Sequence, residues 1–167
     1  TGNLGDSYIG VKILQRKFTV SKKQSNYFIN KYYKPDLQYT LISKLNKIAN
    51  TSIDISDGLF SDIEKLINNQ KLSYEIEIDK IPISKNLMDI IYSRRLKKEG
   101  LISNGDDYQI LFTAKKSKYR IIQSLSKKLR IKITKIGEIT KYGKHPGIIV
   151  KKGRKIRINK KGYFHHF

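Results

Sequence analysis

Apolar residues recur along this chain with two different periods, and the points where the period changes divide it into elements. From Ser7 to Gln15, Ile9, Val11, Ile13 and Leu14 stand among small or polar residues, which predicts a short helix with Ser7 as its N-cap. Ser25 to Tyr33 carries Tyr27, Phe28, Tyr32 and Tyr33 and stops before Lys34-Pro35, because a residue ahead of proline resists the helical region. A further helix is predicted from Pro35-Asp36 to Asn50, with Leu37, Leu41, Ile42, Leu45 and Ile48 at helical spacing. Ser52 to Ser56 then alternates as a strand, and Leu59, Phe60, Ile63, Leu66 and Ile67 resume the helical period at once. Strand, sharp turn and helix therefore meet at Ser56-Asp57.

Tyr74 to Asp79 alternates again, with Glu75 and Glu77 on one face and Tyr74, Ile76 and Ile78 on the other. Ser84 to Lys98 reads as a helix, Tyr108 to Thr113 as a strand, and Lys115 to Arg130 as an amphipathic helix through Tyr119, Ile122, Leu125 and Leu129. Three short strands follow at Lys132–Ile139, Ile148–Lys151 and Lys155–Ile158, separated by glycine turns. Strands and helices alternate without a strict parallel βαβ rhythm, so the expected class is α+β, a mixed α/β layered sandwich. No internal repeat or low-complexity linker divides residues 1–167, which predicts a single domain.

Composition narrows the chemistry. The chain is 38% hydrophobic with 11 tyrosines and 6 phenylalanines, enough for a real core. No stretch approaches the roughly 18 to 20 consecutive apolar residues that cross a bilayer, and no signal-peptide layout opens the chain, so a soluble cytoplasmic protein with no membrane partner is expected. Zero cysteines exclude disulfides, thiolate zinc sites and cysteine nucleophiles, which leaves oxygen or imidazole to hold any metal. The net charge of +21, from 35 Lys plus Arg against 14 Asp plus Glu, attracts polyanions. These basic residues are scattered and mostly lysine, without an arginine-rich helix or an aromatic RNA-binding strand, so no specific nucleic-acid partner is expected. A basic module for RNA or another polyanion stays as the alternative.

Asp54, Ser56 and Asp57 supply hard oxygen ligands where a strand gives way to a helix N-terminus. Such places favour phosphates and their cations, and Gly58 lets a ligand approach the backbone. The structural alternative is that Ser56 or Asp57 only caps the helix while Asp54 faces water. Ser103-Asn104-Gly105-Asp106-Asp107-Tyr108 is a second polar cluster, whose adjacent carboxylates bind metal or a substrate amine, or form only a turn. Thr1-Gly2-Asn3-Leu4-Gly5-Asp6 has glycines for cradling a phosphate but lacks the P-loop lysine, and a bare loop fits it better. Its first residue, Thr1, reads like the inside of a folded unit, which predicts a fragment. Gly162-Tyr163-Phe164-His165-His166-Phe167 either stacks on a flat heterocycle or packs the terminus down.

In this order, the pieces resemble the thiamine-monophosphate kinase family, within the superfamily of aminoimidazole ribonucleotide synthetases and selenophosphate synthetases. Thr1 to Asp6 is similar to a Thr-Gly-x-Leu-Gly-Asp segment, and Asp54 to Leu59 reproduces Asp-Ile-Ser-Asp-Gly-Leu. Asn104 to Ile110 loosely resembles Gly-Gly-Glu-Asp-Tyr-Glu-Leu, and Gly162, Tyr163, His166 and Phe167 resemble the closing Gly-aromatic-x-His-Phe. The resemblance runs over nearly the whole chain but covers only the C-terminal half of a family member.

The resemblance implies a C-terminal domain of the aminoimidazole ribonucleotide synthetase-like type, inactive alone, that transfers the γ-phosphoryl of ATP to thiamine monophosphate. It implies that Asp54 and Asp57 ligate Mg2+, that Ser56 touches ATP, that Asp106 contacts the thiamine moiety and that Tyr163 walls it. It also implies a missing N-terminal domain that holds most of the magnesium and ATP, and a homodimer formed mainly through that domain. Asp106 is one methylene shorter than the family's glutamate, Asn104 replaces a glycine, and Asp36-Leu37 follow Pro35 where the family often has arginine. Another synthetase-type ATP-using enzyme of the superfamily, and an interaction domain that keeps the fold without catalysis, are the remaining readings.

Overall fold

The computed structural model describes residues 1–67, 70–141 and 147–158. Helix α1 (Asp6–Leu14) begins one residue ahead of the predicted cap. Gly5, left-handed at φ 89°, holds the capping position without a side chain to offer, and Ser7 is buried inside the first turn instead of capping it. Helix α2 (Lys22–Tyr33) starts ahead of the predicted Ser25, capped by Ser21, whose hydroxyl accepts from Gln24 N at 3.3 Å, and it ends before Lys34-Pro35 as predicted.

Helix α3 (Tyr39–Ile48) starts later than Pro35-Asp36. The intervening segment is pinned otherwise: the Asp36 carbonyl accepts from Gln38 Nε2 at 2.9 Å and Gln109 Nε2 at 3.1 Å, and its carboxylate pairs with Lys31. Leu37 and Ile42 consequently stay exposed while Leu41 and Ile48 are buried.

Strand β1 (Thr51–Ile55) runs into helix α4 (Leu59–Ile67) through the predicted sharp turn. Strand β2 (Leu72–Glu77) buries Tyr74 and Ile76 and exposes Glu75, as its alternation demands, and Ile78 then enters a single 3-10 turn. The helix predicted over 84–98 stops early, as α5 (Lys85–Arg94), at Arg95 in a left-handed conformation at φ 51°, and a separate short helix, α6 (Lys98–Ile102), follows where none was predicted. The break turns Leu101 and Ile102 inward.

Strand β3 (Gln109–Thr113) leads through a 3-10 turn into helix α7 (Tyr119–Leu129), which ends at left-handed Arg130. Strands β4 (Gly137–Lys141), β5 (Gly147–Lys151) and β6 (Arg154–Ile156) close the described chain. Residues ahead of Gly137 are not ladder strand, because the Lys132 carbonyl accepts from Gly2 N at 2.8 Å and Ile131 and Ile133 pack with Leu41 and Ile110.

Two sheets organise the layers. Strands β1 and β3 pair antiparallel, from Thr51 opposite Thr113 to Ile55 opposite Gln109. The second sheet has the order β4-β2-β5-β6, with β2 antiparallel to β4 and parallel to β5. The main core lies between α4 and the strands and includes Leu4, Ile55, Leu59, Phe60, Ile63, Tyr74, Ile76, Ile78 and Ile149. Satellite clusters gather Ile9, Phe28, Leu87, Ile90 and Leu101 under α1, and Leu41, Ile48, Ile110 and Ile131 under α3. Each side chain fully removed from water contributes about 1.5 to 3 kcal/mol. The mixed helix-and-sheet class expected from the sequence is the observed one. Among the described residues, no helix is long and apolar enough to cross a membrane.

Candidate active site

The pairing of β1 with β3 decides where the candidate residues meet. Because Ile55 lies opposite Gln109, the turn after β1 and the turn before β3 are side by side, although some 50 positions part them in sequence. Two backbone bonds lock them, Tyr108 N to the Ile55 carbonyl at 2.9 Å and Asp106 N to the Ser56 carbonyl at 3.0 Å. Two glycines make that approach possible. A β-carbon on Gly105 would sit 1.7 Å from the Ser56 carbonyl oxygen, and one on Gly58, at φ 115°, would sit 2.2 Å from that of Ser103.

Beneath the first turn, Asp62 is wholly buried at the N-terminal end of α4 and reaches back to accept from Asp57 N at 3.0 Å and Gly58 N at 3.1 Å. It thereby satisfies orphan donors of the helix and fixes the turn. Lys65, one turn on, donates to Asp62 Oδ1 at 3.1 Å and also to the Asp57 carboxylate. The Asp57 hydrogen bond is the largest cause holding the Lys65 ammonium above its usual range.

Asp54 is exposed at the end of β1, whereas Ser56 and Asp57 are half-buried on the turn. Asp106 is raised above the usual carboxylate range by burial and then by the charge of Asp57. The Tyr108 hydroxyl is raised by burial, and next by the charges of Asp106 and Asp54, neighbouring Tyr32 and Asp57. Asp106 and Tyr108 both hold left-handed backbone, at φ 68° and 50°, a conformation costing a non-glycine residue about 1 kcal/mol or more.

Of the five predicted site residues, Ser56, Asp57 and Asp106 therefore lie on one pair of interlocked turns and Asp54 on the end of β1 that leads into them. Tyr163 lies outside the described residues, with the rest of the closing Gly162–Phe167 segment. The glycine-containing opening is not a phosphate cradle: Gly2 N and Leu4 N bond to the Lys132 and Pro82 carbonyls, and Gly5 N donates to Asp107 Oδ2 at 2.7 Å. An apolar cleft of about 1020 Å³ opens elsewhere, between α4, α7 and the sheets, and Asp54, Ser56, Asp57 and Asp106 are absent from its lining.

Sequence reasoning passed over Asp62, Lys65 and Tyr108 and left Asp107 unassigned. Asp62 had a visible signal, an acid in the first turn of a helix whose capping position is glycine. Asp107 is buried, with its carboxylate on the N-terminus of α1, next to Asp6, which accepts from Ser84 Oγ at 2.6 Å and Tyr27 Oη at 2.8 Å.

Burial pushes the Asp107 carboxyl up from 3.8 to about 7; the Gly5 and Ser7 donors act against that rise, and Asp6 adds to it. The folded protein thus holds a proton that the unfolded chain releases near 3.8. That contribution to stability is complete below 3.8 and is lost as the pH rises through about 7. The unfolding free energy should fall across this window, by at most about 1.4 kcal/mol per pH unit for one proton, and Asp107→Asn should flatten the slope. An unchanged slope in the variant contradicts the assignment.

Among the described residues, no group of three or more His, Cys, Asp or Glu side chains is placed to hold a metal. Asp54 and Asp57 are carboxylates, the ligand type a hard cation such as Mg2+ takes, and the Asp57 carboxylate is paired with Lys65 in this structure.

Known proteins resemble this chain in sequence and in fold. The family AIR synthase related protein, C-terminal domain, matches residues 9–150. The chain belongs to that family. The thiamine-monophosphate kinase of Buchnera aphidicola subsp. Schizaphis graminum is 39% identical over all of this chain and 51% of its own length. The thiamine-monophosphate kinase of Buchnera aphidicola subsp. Acyrthosiphon pisum is 34% identical over the same shares. A solved structure of AaThiL complexed with AMPPCP and TMP superposes with a TM-score of 0.76 at 26% identity, over 98% of this chain and 50% of that one. The chain spans about half the length of the curated relatives it matches.

Proposed function

We propose that this chain is the C-terminal half of a thiamine-monophosphate kinase, which moves the γ-phosphoryl of ATP to the phosphate of thiamine monophosphate to give thiamine diphosphate and ADP. The observation that carries this reading is the interlocking of the 54–58 and 103–108 segments, which sets the stretch carrying Asp54, Ser56 and Asp57 against the stretch carrying Asp106. Relatives carrying the kinase name along the full length of the chain support it.

In this reading Asp54 and Asp57 hold Mg2+, which neutralises charge on the phosphates when bound. Lys65 aims the Asp57 carboxylate, and Asp62 holds the turn beneath it. Ser56 faces the nucleotide, and Asp106, raised but partly solvated, receives the cationic heterocycle of the acceptor with Tyr163 as its wall. The chain's own share of the chemistry is thus orientation and electrostatics, which suits phosphoryl transfer. Half of the relatives' length lies outside this chain, so the nucleotide and metal sites are completed by the other half, through which the protein also forms a homodimer. The enzyme works in the cytoplasm.

The test uses the intact protein that carries this chain, supplied with ATP, Mg2+ and thiamine monophosphate. Equal amounts of thiamine diphosphate and ADP are expected. ATP consumption without thiamine diphosphate, or turnover only with a different acceptor, contradicts the reading and favours a synthetase-type relative.

A further inference from the structure

We propose that Asp107 is a positioning residue for the phosphoryl acceptor, holding the turn that carries Asp106 by tying it to the N-terminus of α1. The proposal rests on the kinase reading and adds to it a residue that touches neither substrate.

The turn has two attachments on opposite sides. On one, Asp106 N and Tyr108 N bond to the carbonyls of Ser56 and Ile55, which sets it against the Asp54-Asp57 segment. On the other, the Asp107 side chain runs inward, where Oδ2 accepts from Gly5 N at 2.7 Å and Oδ1 from Ser7 N at 3.4 Å. The backbone of residues 106 and 108 therefore faces the 55–56 segment, while the side chain of 107 is the peg between them.

The post that receives the peg is itself fixed. Gly5 provides no cap of its own, so α1 needs an acceptor, and Asp107 meets that need across some 100 positions of sequence. Leu4 is buried and its N–H is bonded to the Pro82 carbonyl at 3.0 Å, while the next residue after Gly5, Asp6, is clamped by Ser84 and Tyr27. The left-handed backbone at Asp106 and Tyr108 persists only if the surroundings over-determine it, and Asp107 is the one side chain between them that reaches the core. Loss of the peg lets both residues relax, which displaces the Asp106 carboxylate while leaving Asp54, Ser56 and Asp57 on their own anchors in β1 and α4.

The experiment compares the intact wild-type protein with Asp107→Ala and Asp107→Asn. Asn keeps one acceptor for Gly5 but turns an N–H against that of Ser7, so it is the milder variant and retains the volume. The KM for thiamine monophosphate should rise about tenfold or more in both, and the KM for ATP should stay within about twofold, since sub-ångström displacement of one contact falls on the acceptor alone. Amide exchange of residues 103–108 should quicken in Asp107→Asn while β2 keeps its protection. Equal changes in both KM values, or none, overturn the proposal, as does exchange that accelerates uniformly or is unaltered in 103–108. If wild-type protein makes thiamine diphosphate and the variants leave its KM unmoved, only the positioning role fails. Absence of product from the wild type removes the kinase reading and this role with it.

Discussion

Gly105→Ala is expected to be among the most damaging single substitutions in the chain. The added β-carbon meets three backbone atoms, the Ser56 carbonyl oxygen at 1.7 Å, its carbon at 2.5 Å and the Asp57 Cα at 2.9 Å. No flexible side-chain end is there to yield, so the two turns have to separate and the Asp106–Ser56 bond is lost. Overpacking of this kind costs about 1 to 3 kcal/mol or more, which lowers the melting midpoint of a chain this size by roughly 2 to 12 °C. The same separation moves Asp106 away from Asp54 and Asp57, and turnover should fall at least about 100-fold. Gly100→Ala is the control: it lies in α6 with nothing within 4 Å of the new β-carbon, and should be neutral or stabilising by about 0.5 to 1 kcal/mol. Thermal melts and turnover of the two variants side by side decide the matter, and a Gly105→Ala protein that melts and turns over like wild type contradicts the interlocked-turn account.

Local signals were legible in the sequence wherever period and cap agreed. The passage from Ser52–Ser56 alternation to the helical spacing of Leu59, Ile63 and Leu66 located the β1–α4 turn to within a residue, and Ser84 and Lys34 marked a helix start and a helix end. The misplaced boundaries have non-local causes. Ser7 is a sound cap by local rules, yet Asp107, from the other side of the molecule, supplies the acceptor and lets Gly5 take the capping position. Pro35-Asp36 is a sound helix start, yet Gln109 holds the Asp36 carbonyl from β3 and delays α3 to Tyr39.

The candidate site divides in the same way. Asp54, Ser56 and Asp57 announce themselves by spacing, but their meeting with Asp106 depends on the β1–β3 register, which no local pattern encodes. Asp106 and Asp107 are the same residue type side by side, and only the fold sends one toward the carboxylate cluster and the other into the core. The +21 charge, the loudest feature of composition, gives no focus of its own: the described ion pairs spread Lys31, Lys65, Lys80, Lys116, Lys135 and Lys151 over separate elements.

Asp57→Asn carries the other large expected effect, because it removes charge from the proposed metal position with almost no change of shape. Lys65 keeps its bond to Asp62 at 3.1 Å, and the Asp57 and Gly58 backbone donors keep theirs to the same carboxylate, so the turn should survive. A partly exposed ion pair such as Asp57–Lys65 is worth about 0 to 1 kcal/mol, so stability should barely move. Turnover should not survive: a carboxylate that holds a cation against transferring phosphate supplies several kcal/mol of charge stabilisation, and its loss should lower kcat at least about 100-fold.

The most direct measurement is therefore a magnesium titration of thiamine diphosphate formation by the intact protein, wild type against Asp57→Asn, with folding checked by thermal melt. The account predicts a folded variant whose kcat is at least about 100-fold lower and whose half-saturating magnesium is raised. A folded Asp57→Asn enzyme with unaltered kcat and an unaltered magnesium requirement contradicts it.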